Sequence, residues 1–193
     1  MKRPPPLSDR PVIRVIHPSG HLEPHLAALE AGLNALEARG CRVRWDETRS
    51  LDSSRGYLAG DDAIRAQELC AALTEPEVEI VWVARGGSGM NRIVKSAVQS
   101  AKGLEPRCLI GFSDVTALLN AFALQLGWVT YHGPVVTSLG RAEPITDLDA
   151  ILATLQGQVS EVNFTKGSGA DVSGQLLGGN LTVLASMVGH HLC

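Results

Sequence analysis

The sequence predicts an α/β protein built on an open, mostly parallel sheet with helices on both faces. Short β-branched runs alternate with amphipathic stretches, and the connections between them are brief. The third observation is composition: 45% of the 193 residues are hydrophobic and 19% charged, enough for a packed core and unlike a disordered chain.

The elements follow in order. Val12-Ile13-Arg14-Val15-Ile16 reads as a buried strand, ended by the turn cluster His17-Pro18-Ser19-Gly20. Residues 22–39 repeat apolar side chains at Leu26, Leu29, Leu33 and Leu36, a helical stripe closed by Gly40. Residues 41–45 form a second strand, residues 49–60 a loop, and Asp61 opens a helix that turns Ile64, Leu69 and Leu73 inward. Residues 78–83 are a third strand, leading through Arg85-Gly86-Gly87-Ser88-Gly89 into a helix that runs to Val98. Cys108-Leu109-Ile110-Gly111 is a fourth strand, residues 115–126 a helix, and residues 128–131 a fifth strand.

Composition changes near residue 157. We expect an α/β domain over residues 1–156, a glycine-containing linker over 157–171, and the start of a second domain over 172–193. That last piece opens with a strand-like stretch at 172–177. An apolar helix follows, whose stripe of Leu181, Leu184, Ala185 and Val188 has little sequence left to cover it.

Charge narrows the function classes. With 17 basic and 20 acidic residues the formal net charge is −3, which offers no footprint for nucleic acid and no basic cluster for an anionic membrane. No apolar run approaches the ~20 residues of a membrane span, and the proline-rich opening lacks the apolar stretch of a secretory signal. Cys41, Cys70, Cys108 and Cys193 show no C-x-x-C spacing. A reduced, cytoplasmic protein is expected.

In parallel sheets ligands sit at the carboxyl ends of the strands, so the residues just after each strand are the candidates. Ser113 follows Gly111 at a strand-to-helix junction, where a sharp turn can expose a hydroxyl beside helix amides. The match to G-x-S-x-G is half, since Val115 takes the second glycine position, and Ser113 or Asp114 as an ordinary helix cap fits too. The loop from Arg85 to Gly89 suits an anion, an oxyanion or a plain tight turn; Arg92 breaks a dinucleotide fingerprint. His132, after the fifth strand, fits either a general base or a packed turn residue, as does His17. His190, His191 and Cys193 crowd the terminus without a scaffold for a metal, and no cofactor is implied.

Taken together, these segments resemble the serine LD-carboxypeptidase family, which includes muramoyltetrapeptide carboxypeptidases and microcin C self-immunity peptidases. The motifs carrying the resemblance are Pro18-Ser19-Gly20, Tyr57-Leu58-Ala59-Gly60 with Arg65, Trp82 to Gly89 with Arg92, and Gly111-Phe112-Ser113-Asp114-Val115-Thr116. Gly127 to Pro134 and Gly178-Gly179-Asn180-Leu181 complete the series, in family order and spacing.

The resemblance implies a class I glutamine-amidotransferase-like sheet and hydrolysis of an L,D-amide that releases a terminal D-amino acid from murein tetrapeptide. It implies Ser113 as nucleophile, the backbone N–H groups of Asp114 and Gly87 as oxyanion donors, and Gly86, Ser88 and His132 at the substrate cleft. It implies no metal. Two departures stand out. Ser88 replaces the aromatic residue usual in the family, and no residue matches the family's triad Glu and His, which follow the Gly-Gly-Asn motif. A weak or inactive hydrolase is therefore expected of these 193 residues. A peptide- or muropeptide-binding protein is the alternative, and a nucleotide-binding module a third. A small peptide or muropeptide partner, a homodimer and self-association through the last helix complete the expectations.

Overall fold

The computed structural model describes residues 1–47, 56–140, 147–158 and 173–189. Strands β1 (Val12–Ile16), β2 (Arg42–Arg44), β3 (Ile80–Val83), β4 (Cys108–Gly111) and β5 (Tyr131–His132) form one parallel sheet in the order β2-β1-β3-β4-β5. All four strand pairs are parallel, as the alternation of segments predicts. Period-two alternation divides the core. Ile13, Val15, Ile80, Trp82 and Ile110 face a layer containing α1 (Leu26–Glu37), α5 (Val136–Leu139) and α6 (Leu148–Leu155). Val12, Ile16, Val81, Val83 and Leu109 face α2 (Asp62–Thr74), α3 (Met90–Ala101) and α4 (Thr116–Leu126).

Helix α1 ends as its sequence implies. The Gly40 N–H donates to Glu37 O (2.9 Å) and the Cys41 N–H to Leu36 O (3.3 Å), a Schellman motif that needs the left-handed φ of +82° at Gly40. Elsewhere the structure departs from expectation. Ile64 is 37% exposed while its neighbour Arg65 is fully buried, because Arg65 finds carbonyl acceptors on that face of α2. Trp128 lies outside β5. It packs edge-on against Phe122 at 5.1 Å, and its backbone bridges Lys2 beside the sheet edge. Helices α5 and α6 were not anticipated; Asp147 caps α6 by accepting from the N–H groups of Asp149 (2.9 Å) and Ala150 (3.4 Å).

Residues 173–177 form no strand. Helix α7 (Leu181–Met187) follows, capped by Asn180 Oδ1, which accepts from the Val183 N–H (3.1 Å). Met187 is buried in the α4 face of the core, whereas Leu181 and Val188 are each 80% exposed and Leu184 is half-buried. No helix of the described residues is long and apolar enough to cross a membrane.

Candidate active site

The carboxyl ends of β1, β3 and β4 converge on one point. Strand β4 runs through Gly111 and Phe112 into Ser113, which has φ +60°, the one positive φ outside glycine among the described residues. A left-handed conformation costs a residue with a Cβ about 1–2 kcal/mol. The turn is held from below: a Cβ on Gly111 would stand 2.6 Å from Val115 Cγ1, so the strand passes directly over the first helical turn. Val115, at the second glycine position of the half-matched motif, is therefore the packing partner of the first.

The loop after β3 lies against this elbow. A Cβ on Gly86 would meet Ser113 Cβ at 3.1 Å and Phe112 O at 3.2 Å. At Gly87, with φ +144°, it would meet the Gly20 N at 2.7 Å and Cα at 2.8 Å. The Gly20 N–H donates to Gly86 O (3.2 Å) and Arg85 Nη1 donates to His21 O (2.7 Å), tying the β1 and β3 loops together where the strand order reverses. Among the described residues no acceptor takes the N–H of Gly87 or of Asp114. Two unpaired amides beside a strained hydroxyl are the chemistry of an oxyanion pocket.

Behind these loops lie buried charges. His17 Nδ1 is 3.2 Å from Glu68 Oε1, and the His17 N–H donates to Glu68 Oε2 (3.3 Å). Arg65 Nη1 donates to Pro18 O (2.5 Å) and Gly89 O (3.3 Å), and Arg65 Nη2 to Asp62 Oδ1 (2.5 Å). Arg92 holds the other Asp62 oxygen at 2.7 Å. Asp114, itself buried, accepts the Met90 N–H at 3.0 Å through Oδ2.

The other expected residues fall around the elbow. Ser88 is exposed on the β3 loop. His132 pairs across from Gly111, and its ring lies 5.1 Å from the exposed Phe112 ring. His132 is exposed at the surface, and partial desolvation of its ring lowers its pKa. No hydrogen bond joins His132 to Ser113, and His17 is engaged by Glu68. His190, His191 and Cys193 lie outside the described residues, among which no group of three or more His, Cys, Asp or Glu stands together to hold a metal.

Two features escaped the sequence reading of the residues themselves. The Asp114 carboxylate reaches a helix 24 positions away in the chain, which no local pattern encodes. The Asp62–Arg65 pair has helical i, i+3 spacing, a signal that was available, but the spacing does not reveal that Arg65 points inward.

A parallel α/β sheet whose fourth strand delivers a left-handed serine beside two free amides defines an elbow-serine α/β protein. The chain belongs to the LD-carboxypeptidase family: the model of that family's N-terminal domain matches residues 13–133. The murein tetrapeptide carboxypeptidase of Pseudomonas aeruginosa is 36% identical over 176 residues, covering 83% of this chain and 55% of that protein. Among solved structures, a muramoyltetrapeptide carboxypeptidase from Oxalobacter formigenes superposes with a TM-score of 0.71 at 26% identity, covering 94% of this chain and 61% of that one. An MccF-like protein from Bacillus anthracis gives a TM-score of 0.71 at 27% identity, covering 80% of this chain and 47% of that one. The chain thus spans about half to three fifths of the relatives it matches.

Proposed function

We propose that this chain carries the nucleophile and oxyanion pocket of a serine LD-carboxypeptidase that releases a terminal D-amino acid from murein tetrapeptide in the cytoplasm. The observation that carries the reading is the φ of +60° at Ser113. A fold retains such strain where the surroundings over-determine it, and active sites are where such residues cluster. Ser113 Oγ attacks the carbonyl carbon of the L,D-amide, and the developing oxyanion accepts from the N–H groups of Gly87 and Asp114. Collapse breaks the C–N bond, the D-amino acid leaves as its amine with a proton from the base, and water hydrolyses the acyl-serine. Gly86, Ser88 and His132 line the approach.

The proton from Ser113 requires a base, which comes from outside the described residues in this reading. Without it an oxyanion pocket alone supplies about 10³–10⁴-fold over water. A second reading, a protein that binds peptide or muropeptide without turnover, is favoured by one observation. Among the described residues no imidazole or carboxylate is hydrogen-bonded to Ser113.

D-alanine release from an L,D-tetrapeptide, with and without added imidazole, separates the two. We expect slow release that imidazole accelerates in the chain and not in Ser113→Ala. Acceleration that persists in Ser113→Ala contradicts the assignment of the nucleophile. No imidazole-dependent release from the folded chain favours the binding protein.

A further inference from the structure

The N–H of Met90 and the C=O of Gly89 belong to one peptide unit, and buried charges of opposite sign hold its two ends. Asp114 Oδ2 accepts the Met90 N–H at 3.0 Å, while Arg65 Nη1 donates to Gly89 O at 3.3 Å. Both charged residues are buried, Arg65 wholly and Asp114 to 7% exposure. The peptide dipole therefore lies between a cation at its negative end and an anion at its positive end, the favoured alignment, with the Met90 end buried and the Gly89 end part-buried.

This unit needs such a constraint. Gly86, Gly87 and Gly89 leave the loop free of the Cβ restrictions that normally fix a backbone, and Gly87 and Gly89 both adopt positive φ, +144° and +98°. A loop of this composition has other peptide orientations within reach, and only some aim the Gly87 N–H beside Ser113. The space around Gly89 is closed as well, since a Cβ there would stand 2.8 Å from Leu58 Cδ2 and 3.0 Å from Arg65 Nη1.

Resting on the nucleophile reading above, we infer that Arg65 and the Asp114 carboxylate are positioning residues that clamp the Gly89–Met90 peptide and so fix the Gly87 oxyanion donor against Ser113. Asp114 then serves both halves of the pocket. Its own N–H is one donor, and its side chain orients the loop bearing the other. Arg65 links the same loop to β1 through Pro18 O (2.5 Å), so the three strand ends move as one body.

The test is binding of a peptide boronic acid that mimics the tetrapeptide terminus and forms a tetrahedral boronate on Ser113. Boron NMR reports the adduct, and affinity for the uncleaved tetrapeptide is measured beside it. Asp114→Ala and Arg65→Met are expected to weaken boronate binding about tenfold or more while tetrapeptide affinity changes less than about twofold. Asp114→Asn, which keeps an acceptor oxygen, restores most of the loss. Amide hydrogen exchange gives a readout independent of Ser113: exchange over residues 86–90 rises in Arg65→Met and Asp114→Ala, with the strands unchanged.

Equal loss for boronate and tetrapeptide, or unchanged exchange over residues 86–90, overturns the clamp and leaves the nucleophile standing. No tetrahedral adduct in the parent chain overturns the nucleophile, and the clamp's catalytic role with it.

Discussion

The β3 loop with the β4 elbow, and the segment from residue 173 to 189, both meet the start of α4 and are held in different ways. At the elbow, buried charges and backbone-to-backbone contacts leave no latitude: Gly86, Gly87 and Gly20 touch without room for a Cβ, and Arg65 and Asp114 grip one peptide from both ends. The later segment has one close approach of this kind, Gly179 against Thr116, and otherwise hangs on a few polar contacts. Asn180 N–H donates to Thr116 Oγ1 (2.9 Å), Asn120 Nδ2 to Gly178 O (2.9 Å), and Met187 is its one buried side chain. Buried charge and close backbone packing are concentrated beside Ser113, whereas Leu181 is 80% exposed.

Substitutions should expose this difference. Gly87→Ala pushes a Cβ into the backbone of Gly20 at a φ of +144°, and we expect a loss of about 3 kcal/mol in denaturant unfolding. Arg65→Met strands the Pro18 and Gly89 carbonyls and is expected to cost about 2 kcal/mol by the same measurement. Asp62 keeps Arg92 as a partner, which limits the damage.

The next effect has the opposite sign. Ser113→Gly relieves the left-handed strain and is expected to stabilise the fold by about 1 kcal/mol in thermal unfolding, whereas Ser113→Ala does not. An equal response to both substitutions would break the link between strain and function at the elbow.

The pH dependence is smaller. Partial desolvation lowers the pKa of the exposed His132, so the unfolded chain binds this proton somewhat more readily than the folded one. The contribution is present above about pH 6.5 and is lost as pH falls below it. Thermal scans between pH 7 and 5 should show a shallower decline for His132→Gln than for the parent.

Least of all, Leu181→Ser and Val188→Ser in the loosely held segment should change stability by under about 0.5 kcal/mol. We propose that this exposed surface drives self-association, so sedimentation should show a smaller associated fraction in the double variant. A large stability loss there would erase the contrast with the elbow.

The legibility of the fold follows the same division. Strands buried on both faces read as continuous apolar runs, which is why Ile80–Val83 and Cys108–Gly111 are plain in the sequence. The fifth strand is legible as an element but its bounds are not, because two residues are too short to carry a pattern and Trp128 packs beside the strand instead. Helical periodicity turned Ile64 inward on hydrophobicity alone, but backbone carbonyls from two loops made the adjacent Arg65 the better buried residue. The strand-to-helix junction at Ser113 was legible in the sequence, whereas the oxyanion roles proposed for the Asp114 and Gly87 N–H groups came only from the family resemblance. The carboxylate's contact with Met90 depends on tertiary packing of α3 against α4 and left no trace in local sequence.

The claim that Ser113 is the nucleophile is tested most directly by mapping the adduct of a fluorophosphonate, whose phosphorus takes the serine oxygen as fluoride leaves. Peptide mass spectrometry should find the modification on the peptide containing Ser113, ahead of every other serine, and not in Ser113→Ala. Labelling spread over surface serines, with Ser113 no more reactive than the rest, would contradict the account.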